Sequence, residues 1–254
     1  MLRFASLGSG SKGNGTLVEC GSTRILIDCG FTLAETEHRL HRLGCHPASL
    51  TAILVTHEHG DHANGVGRLA RRYHIPVWLT VGTYYAVRDH NFPRHHFINI
   101  HQPFALDDLH ITPFPVPHDA REPSQFIFSD GNLRLAVLTD TGSYTPYMVG
   151  LLQGLDGLLL ECNYDAAMLA RGPYPYSLKV RVGGRYGHLD NCQATDLLRQ
   201  LDHGKLQHVI GMHLSETNNL PAYAYDALCM GLGCGPEWLG LATQESGLDW
   251  RELR

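Results

Sequence analysis

The stretch Thr56-His57-Glu58-His59-Gly60-Asp61-His62 decides the reading of this chain. It follows the wholly apolar run Ala52 to Val55, a strand in character, and precedes a helix expected around Gly65 to Tyr73. The motif therefore occupies a loop at the C-terminal end of a buried strand, where a rigid sheet fixes the loop's base and lets its side chains converge. In an extended segment alternate side chains share a face, so His57 and His59 point the same way. Asp61 and His62 then turn into the helix start and face a second point nearby.

Two divalent ions about 3.5 to 4 Å apart can clamp the attacking and leaving oxygens of a displacement, but they need more donors than one loop carries. Three later residues each end an expected strand: His118 in Pro117-His118-Asp119, Asp140 in Leu138-Thr139-Asp140-Thr141-Gly142, and His213 in Gly211-Met212-His213-Leu214-Ser215. Any one of them alone reads more readily as a turn cap or a satisfied polar residue. In this order behind the motif, they read as a metal centre.

Composition bounds what else the chain can be. In 254 residues, 43% hydrophobic and 18% charged, no apolar run approaches the roughly 18 needed to span a membrane. Met1 to Ser6 lacks the basic start and apolar core of a secretory signal, so a cytoplasmic protein is expected. Seven scattered cysteines, an odd number without a CxxC pair, argue for reduced thiols. The formal net charge of −5 gives no global pull on nucleic acid, so a polyanion would need a local basic patch or metal. The 17 histidines exceed what packing requires, and imidazole is the commonest ligand for transition metals.

Around the motif the pattern is strand-rich. Strands are expected at Leu2 to Leu7, Thr16 to Cys20 and Arg24 to Asp28 as an antiparallel meander, then at Ala52 to Val55 and Val77 to Leu79. Later strands are expected at His110 to Phe114, Ser124 to Phe128, Leu133 to Leu138, Gly157 to Glu161 and His208 to Met212. Helices are expected at Thr32 to Leu43, capped by Thr32 and stopped by Gly44, near Thr83 to Asp89, and at Asn191 to Leu201, capped by Asp190 or Asn191. Strand-rich halves each followed by helices imply two sheets face to face with helices outside, in a single α/β domain over residues 1–254.

The HxHxDH motif with the later His, Asp and His resembles the metallo-β-lactamase superfamily along the whole chain, which implies its αββα four-layer sandwich. The resemblance implies that one ion takes His57, His59 and His118, the other Asp61, His62 and His213, and that Asp140 bridges them. Zinc suits such a His-rich set, and manganese or iron also suit a bridging carboxylate. Asp140 stands where many true β-lactamases place a cysteine, and His59 where the flavodiiron oxidoreductases place glutamate. Neither antibiotic hydrolysis nor oxygen reduction is favoured.

For a substrate, Ala166 to Leu189 contains no Asp or Glu but carries Arg171, Lys179, Arg181 and Arg185 among Tyr174, Tyr176 and Tyr186. Such a stretch can contact phosphates and stack bases, or can simply be a basic surface loop. Gly187-His188-Leu189-Asp190-Asn191, Ser6-Leu7-Gly8-Ser9-Gly10-Ser11-Lys12-Gly13-Asn14 and His213-Leu214-Ser215-Glu216-Thr217-Asn218-Asn219 together resemble the YycJ (WalJ) branch, related to tRNase Z-type nucleases. That kinship implies a DNA exonuclease acting from the 5′ end through a hydroxide between the ions, with Asp61 and His188 catalytic and His188 on the scissile phosphate. The kinship together with the basic stretch gives Ser11, Asn14, Lys179, Arg181, Arg185 and Asn219 as expected substrate contacts. The chain between Asp140 and His213 is too short for the inserted domain of the β-CASP nucleases. Two alternatives stand: a glyoxalase II-like thioester or lactone hydrolase, and a non-catalytic regulatory module that keeps its metals for folding.

Other signals carry less. Gly8 to Gly13 matches GxGxxG, but a strand rather than a helix follows, so no nucleotide cofactor is expected. His95, His96, His101, His110 and His208 lack ligand spacing and read as surface or ordinary packed residues, and Cys162 as structural.

Overall fold

A computed structural model describes every residue except Cys234 and Pro236. In chain order its strands are β1 (Leu2–Gly8), β2 (Gly15–Cys20), β3 (Thr23–Ile27), β4 (Ala52–Leu54), β5 (Val77–Leu79), β6 (His95–Phe97) and β7 (Phe104–Leu106), continuing with β8 (Leu109–Pro115), β9 (Ser124–Ser129), β10 (Arg134–Leu138), β11 (Gly157–Glu161), β12 (His208–Met212), β13 (Leu239–Leu241) and β14 (Leu248–Leu253). The helices are α1 (Leu33–Arg42), α2 (Gly60–Ala63), α3 (Val66–Tyr73), α4 (Val81–Ala86), α5 (Pro146–Leu151), α6 (Ala166–Arg171), α7 (Tyr176–Val182), α8 (Asn191–Leu198) and α9 (Pro221–Leu232).

Among the described residues the strands form two seven-stranded sheets, ordered β14-β1-β2-β3-β4-β5-β6 and β13-β12-β11-β10-β9-β8-β7. Both are mixed: the β1-β2-β3 meander is antiparallel and β3 to β6 are parallel. In the second sheet β10 to β13 are parallel and β7 to β9 antiparallel. Strands covered on both faces are apolar throughout, and β3 shows how the sides divide. Ile25 and Ile27 join Phe4, Val18, Phe126, Leu135, Leu159 and Ile210 between the sheets, while Leu26 packs outward with Leu40 of α1 and Leu69 of α3. On the far side Met148, Leu197 and Leu228 bring α5, α8 and α9 onto the second sheet. This is the expected αββα sandwich.

Several boundaries come from side-chain chemistry. Thr32 accepts from the Glu35 N–H and caps α1, and Gly44 follows its end at φ +70°. For α8 the open choice of cap resolves to Asp190, which exchanges hydrogen bonds with Gln193 in a capping box. The helix expected near Thr83 to Asp89 starts earlier, because Thr80 rather than Thr83 is the cap. The edge strands β6, β7, β13 and β14 and helices α5, α6, α7 and α9 are additional to the sequence expectations.

Among the described residues no helix is long and apolar enough to cross a membrane. Cys20, Cys29, Cys45, Cys162 and Cys192 are in no disulfide, and Cys234 lies outside the described residues. Cys162 is fully buried. A strand, β2, follows the Gly8 to Gly13 run, as expected. His95, His96, His101 and His110 are exposed and His208 is half-buried.

Candidate metal centre

All the parallel strands of a sheet end on the same side, and the chemistry sits where those of both sheets end. His57, His59, Asp61 and His62 follow β4; Asp140, Glu161 and His213 follow or end β10, β11 and β12; His118 lies between β8 and β9. The motif loop is pinned from below: Gly30 packs so tightly that a Cβ there would lie 1.7 Å from the Asp61 carbonyl oxygen.

Donor atoms fall into overlapping groups, each within 4.8 Å: His57, His59 and His118; Asp61, His62 and His213; His57, His62 and Asp140; and Asp140, Glu161, His188 and His213. The first two groups are the two ligand sets expected from the sequence, with Asp140 beside both. Three of the buried atoms at this centre, His57 Nε2, Asp140 Oδ2 and His213 Nε2, have no hydrogen-bond partner. A buried polar atom without a partner costs on the order of 1–3 kcal/mol, and a cation satisfies all three. The residues therefore fit divalent metal.

Hydrogen bonds behind the imidazoles assign which nitrogen faces inward. Asp28, buried at the end of β3, accepts from His62 Nδ1 at 2.8 Å and from Thr56 Oγ1 at 2.8 Å, and Thr56 Oγ1 lies 2.9 Å from His57 Nδ1. A carboxylate only accepts, so the protons sit on Nδ1 of both rings and leave Nε2 for an ion. His118 Nδ1 donates to the Gly187 carbonyl at 3.0 Å, with the same result. His59 turns its Nδ1 toward His118 Nε2, 3.2 Å away. Asn163 holds His213 through its ring and its carbonyl.

The charge is carried by protons. Burial alone would lower His62, but Asp140, Asp28 and Asp61 hold it well above the usual imidazole range. Burial also opposes protonation of His213, yet Asp140, Asp61 and Glu161 raise it to about 9. Against burial, His62 and His213 hold Asp61 below the usual carboxylate range, and His213 and His62 do the same for Asp140. Burial depresses His57 and His118.

His188 borders the cluster. It is 20% exposed, its Nδ1 lies 2.7 Å from Glu161 Oε1, and its ring stacks on His213 at 5.2 Å. Glu161 is fully buried, and its Oε2 accepts from Thr141 N at 2.9 Å and Leu189 N at 3.3 Å. With both oxygens engaged, Glu161 acts as a brace for His188.

The other expected contacts are dispersed around the centre. Asn14 is buried with its amide 3.3 Å from Asp61 Oδ2 and 3.1 Å from His62 Nε2. Ser11 is exposed. Arg181, 57% exposed, pairs with Asp119 at 2.5 Å, and Asp119 lies 3.6 Å from His118 and 3.8 Å from His59. Lys179 Nζ donates to the Ala170 carbonyl, and Arg185 is exposed. Asn219 is buried with its amide bonded to Asn191 and the Cys162 carbonyl. The sequence reading missed Asp28, Thr56, Asn163 and Glu161; for Asp28 and Glu161 the available signal was an acid closing an apolar strand.

The pattern of the beta-lactamase superfamily domain matches residues 23–214. The exodeoxyribonuclease YycJ of Bacillus anthracis is 34% identical over 228 residues, covering 88% of this chain and 86% of that protein. The exodeoxyribonuclease WalJ of Streptococcus pneumoniae serotype 2 (strain D39) is 32% identical over 230 residues, covering 88% and 85%. In fold, the Zn(2+)-bound PqqB from Methylobacterium extorquens superposes with a TM-score of 0.78 at 17% identity, covering 99% of this chain and all of that one (100%).

Two expectations follow. Asp28→Asn, which turns one of the two oxygens accepting from His62 and Thr56 into a donor, should weaken divalent-metal affinity about 10- to 100-fold in a competition titration with a chelating dye. The proton on His213 sets a pH dependence for metal-free protein. Its folded value of about 9 exceeds the usual 6.5, so its contribution is full below pH 6.5 and lost as pH rises through about 9. The Tm of metal-free protein should fall between pH 6.5 and 9.5, and zinc should abolish that fall; an unchanged Tm contradicts it.

Proposed function

The chain belongs to the metallo-β-lactamase superfamily, and on that premise we propose that it is a metal-dependent phosphodiesterase that degrades DNA from an end, a 5′ end, in one domain spanning residues 1–254. The observation that carries this reading is His188, a partly exposed imidazole at the edge of the cluster, braced on a buried carboxylate and stacked on His213. The names of the two relatives support a nucleic acid end as substrate.

Two divalent ions, zinc first among candidates, would be held by His57, His59 and His118 and by Asp61, His62 and His213, with Asp140 between. Bound there, such ions lower the pKa of a coordinated water to near neutrality and supply the nucleophile. Asp61, only partly buried and held ionised, would orient that water by accepting a hydrogen bond from it. His188 would keep its Nδ1–H on Glu161 and donate a second ring proton, Nε2–H, to a non-bridging phosphate oxygen, opposing the negative charge that grows in the transition state.

The strand would leave the centre along α7. Arg185 and the exposed Tyr186 line one depression with the pair Arg181 and Asp119, and Tyr176, 82% exposed, begins α7, in a segment that is without acid from Ala166 to Leu189. Cations track phosphates and exposed rings stack bases, which suits an otherwise acidic protein to a polyanion.

The test uses metal-reconstituted protein on end-labelled DNA. His188→Ala should lower turnover about 100-fold or more while the bound metal stays at the wild-type amount, and Asp61→Ala should lower both. Undiminished cleavage by His188→Ala removes its assigned role. Cleavage of a thioester but not of DNA by the wild-type protein removes the nuclease reading.

A further inference from the structure

The second ligand set is tied to a part of the chain far from it in sequence. Gln244, 9% exposed, lies in the turn between β13 and β14, outside the 23–214 region matched by the family pattern. Its side-chain amide reaches back to the glycine-rich loop between β1 and β2. Oε1 accepts from the Lys12 N–H at 2.7 Å, and Nε2 donates to the Gly13 carbonyl at 2.8 Å. The fit leaves no slack: a Cβ on Gly10 would lie 2.7 Å from Gln244 Oε1. The turn is itself fastened, because Arg39 donates to the carbonyls of Gln244, Glu245 and Leu7, and Ser9 N–H donates to the Thr243 carbonyl.

The clamped loop ends on three donors and on no others of the seven. Asn14 Oδ1 accepts from Gly10 N–H at 2.9 Å and its Nδ2 returns to the Gly10 carbonyl, so the loop closes on the Asn14 amide. That amide contacts Asp61 Oδ2 and His62 Nε2, and the Asn14 N–H donates to the Asp61 carbonyl at 2.8 Å. Ser9 Oγ accepts from the His213 N–H at 2.8 Å. These are Asp61, His62 and His213, the second ligand set. His57 and His118 are instead held from Thr56 and from the Gly187 carbonyl, which the loop does not touch.

We propose that Gln244 is a positioning residue for the Asp61, His62 and His213 site: it fixes the glycine-rich loop so that Asn14 and Ser9 hold those three donors in ligating geometry. The turn between β13 and β14 thereby sets the affinity of one metal position and not the other. This inference rests on the two-metal reading above. The loop fixes the main chain of Asp61 and His213 through the Asn14 N–H and Ser9 Oγ, and removing a group that positions ligands without touching the ion changes metal affinity about 10- to 100-fold.

The test titrates zinc into metal-free full-length protein against a chelating dye and counts the metal retained after gel filtration by elemental analysis. Wild type should retain two ions. Gln244→Met keeps the volume and loses the amide; it should bind the first ion as wild type does and the second about 10- to 100-fold more weakly. Asn14→Ala, which leaves the turn between β13 and β14 untouched, should do the same. The double variant should be no weaker than the weaker single one, because the two act in series. Gln244→Glu, which keeps the acceptor for Lys12 and loses the donor to Gly13, should fall between. Unchanged affinity for both ions in Gln244→Met overturns the proposal, as does equal loosening of both, the mark of general disruption. Fewer than two ions on the wild type overturns the two-metal reading and the inference with it.

Discussion

The structure is organised around a buried excess of Lewis bases. Five imidazoles and two carboxylates converge at the open ends of two sheets, and three buried atoms among them, His57 Nε2, Asp140 Oδ2 and His213 Nε2, have no hydrogen-bond partner. Lone pairs out of water repel and lose hydration, so such a cluster persists only with positive charge among them. Protons on His62 and His213 supply it in the metal-free chain, and divalent ions supply it better because one ion can satisfy several donors at once.

That demand explains backbone that the rest of the fold would not choose. Asp28, Asp140 and His213 all adopt positive φ, at 61°, 53° and 55°. For residues with a Cβ the left-handed region costs on the order of 1–3 kcal/mol and persists where surroundings over-determine it. Here each lies just past the end of a strand, and the turn swings its side chain back across the sheet's end. The sandwich provides stiffness: its inter-sheet core of Phe4, Phe126, Phe128 and Leu159 is fully buried, so the loops at the open end start from fixed positions.

What the sequence made legible divides along the same line. The central strands, α1, α3 and the seven donors could be read, because apolar periodicity and the spacing of His and Asp are local signals. The edge strand β14 is half-exposed and mixes charges into Leu248–Leu253, so no alternation marks it. Helices α6 and α7 hide in a segment whose tyrosines, glycines and prolines dilute the helical pattern. Among the site residues, Asp28 and Glu161 act through histidines distant in the chain, and Gln244 through backbone groups 231 and 232 positions away, so no spacing rule points to them. Lys179 and Asn219 are read from residue type alone; the Lys179 ammonium bonds the Ala170 carbonyl at the surface, and the Asn219 amide bonds the Cys162 carbonyl inside the fold.

The nuclease reading, the brace on His188 and the latch at Gln244 all presuppose cations at the convergence of the two sheets. Anomalous X-ray diffraction from zinc-loaded crystals, recorded on both sides of the zinc absorption edge, addresses that directly. The account predicts two zinc peaks about 3.5 to 4 Å apart, one against His57, His59 and His118 and one against Asp61, His62 and His213, with Asp140 touching both. Crystals that show no zinc there, or zinc only at other surface histidines, would contradict it.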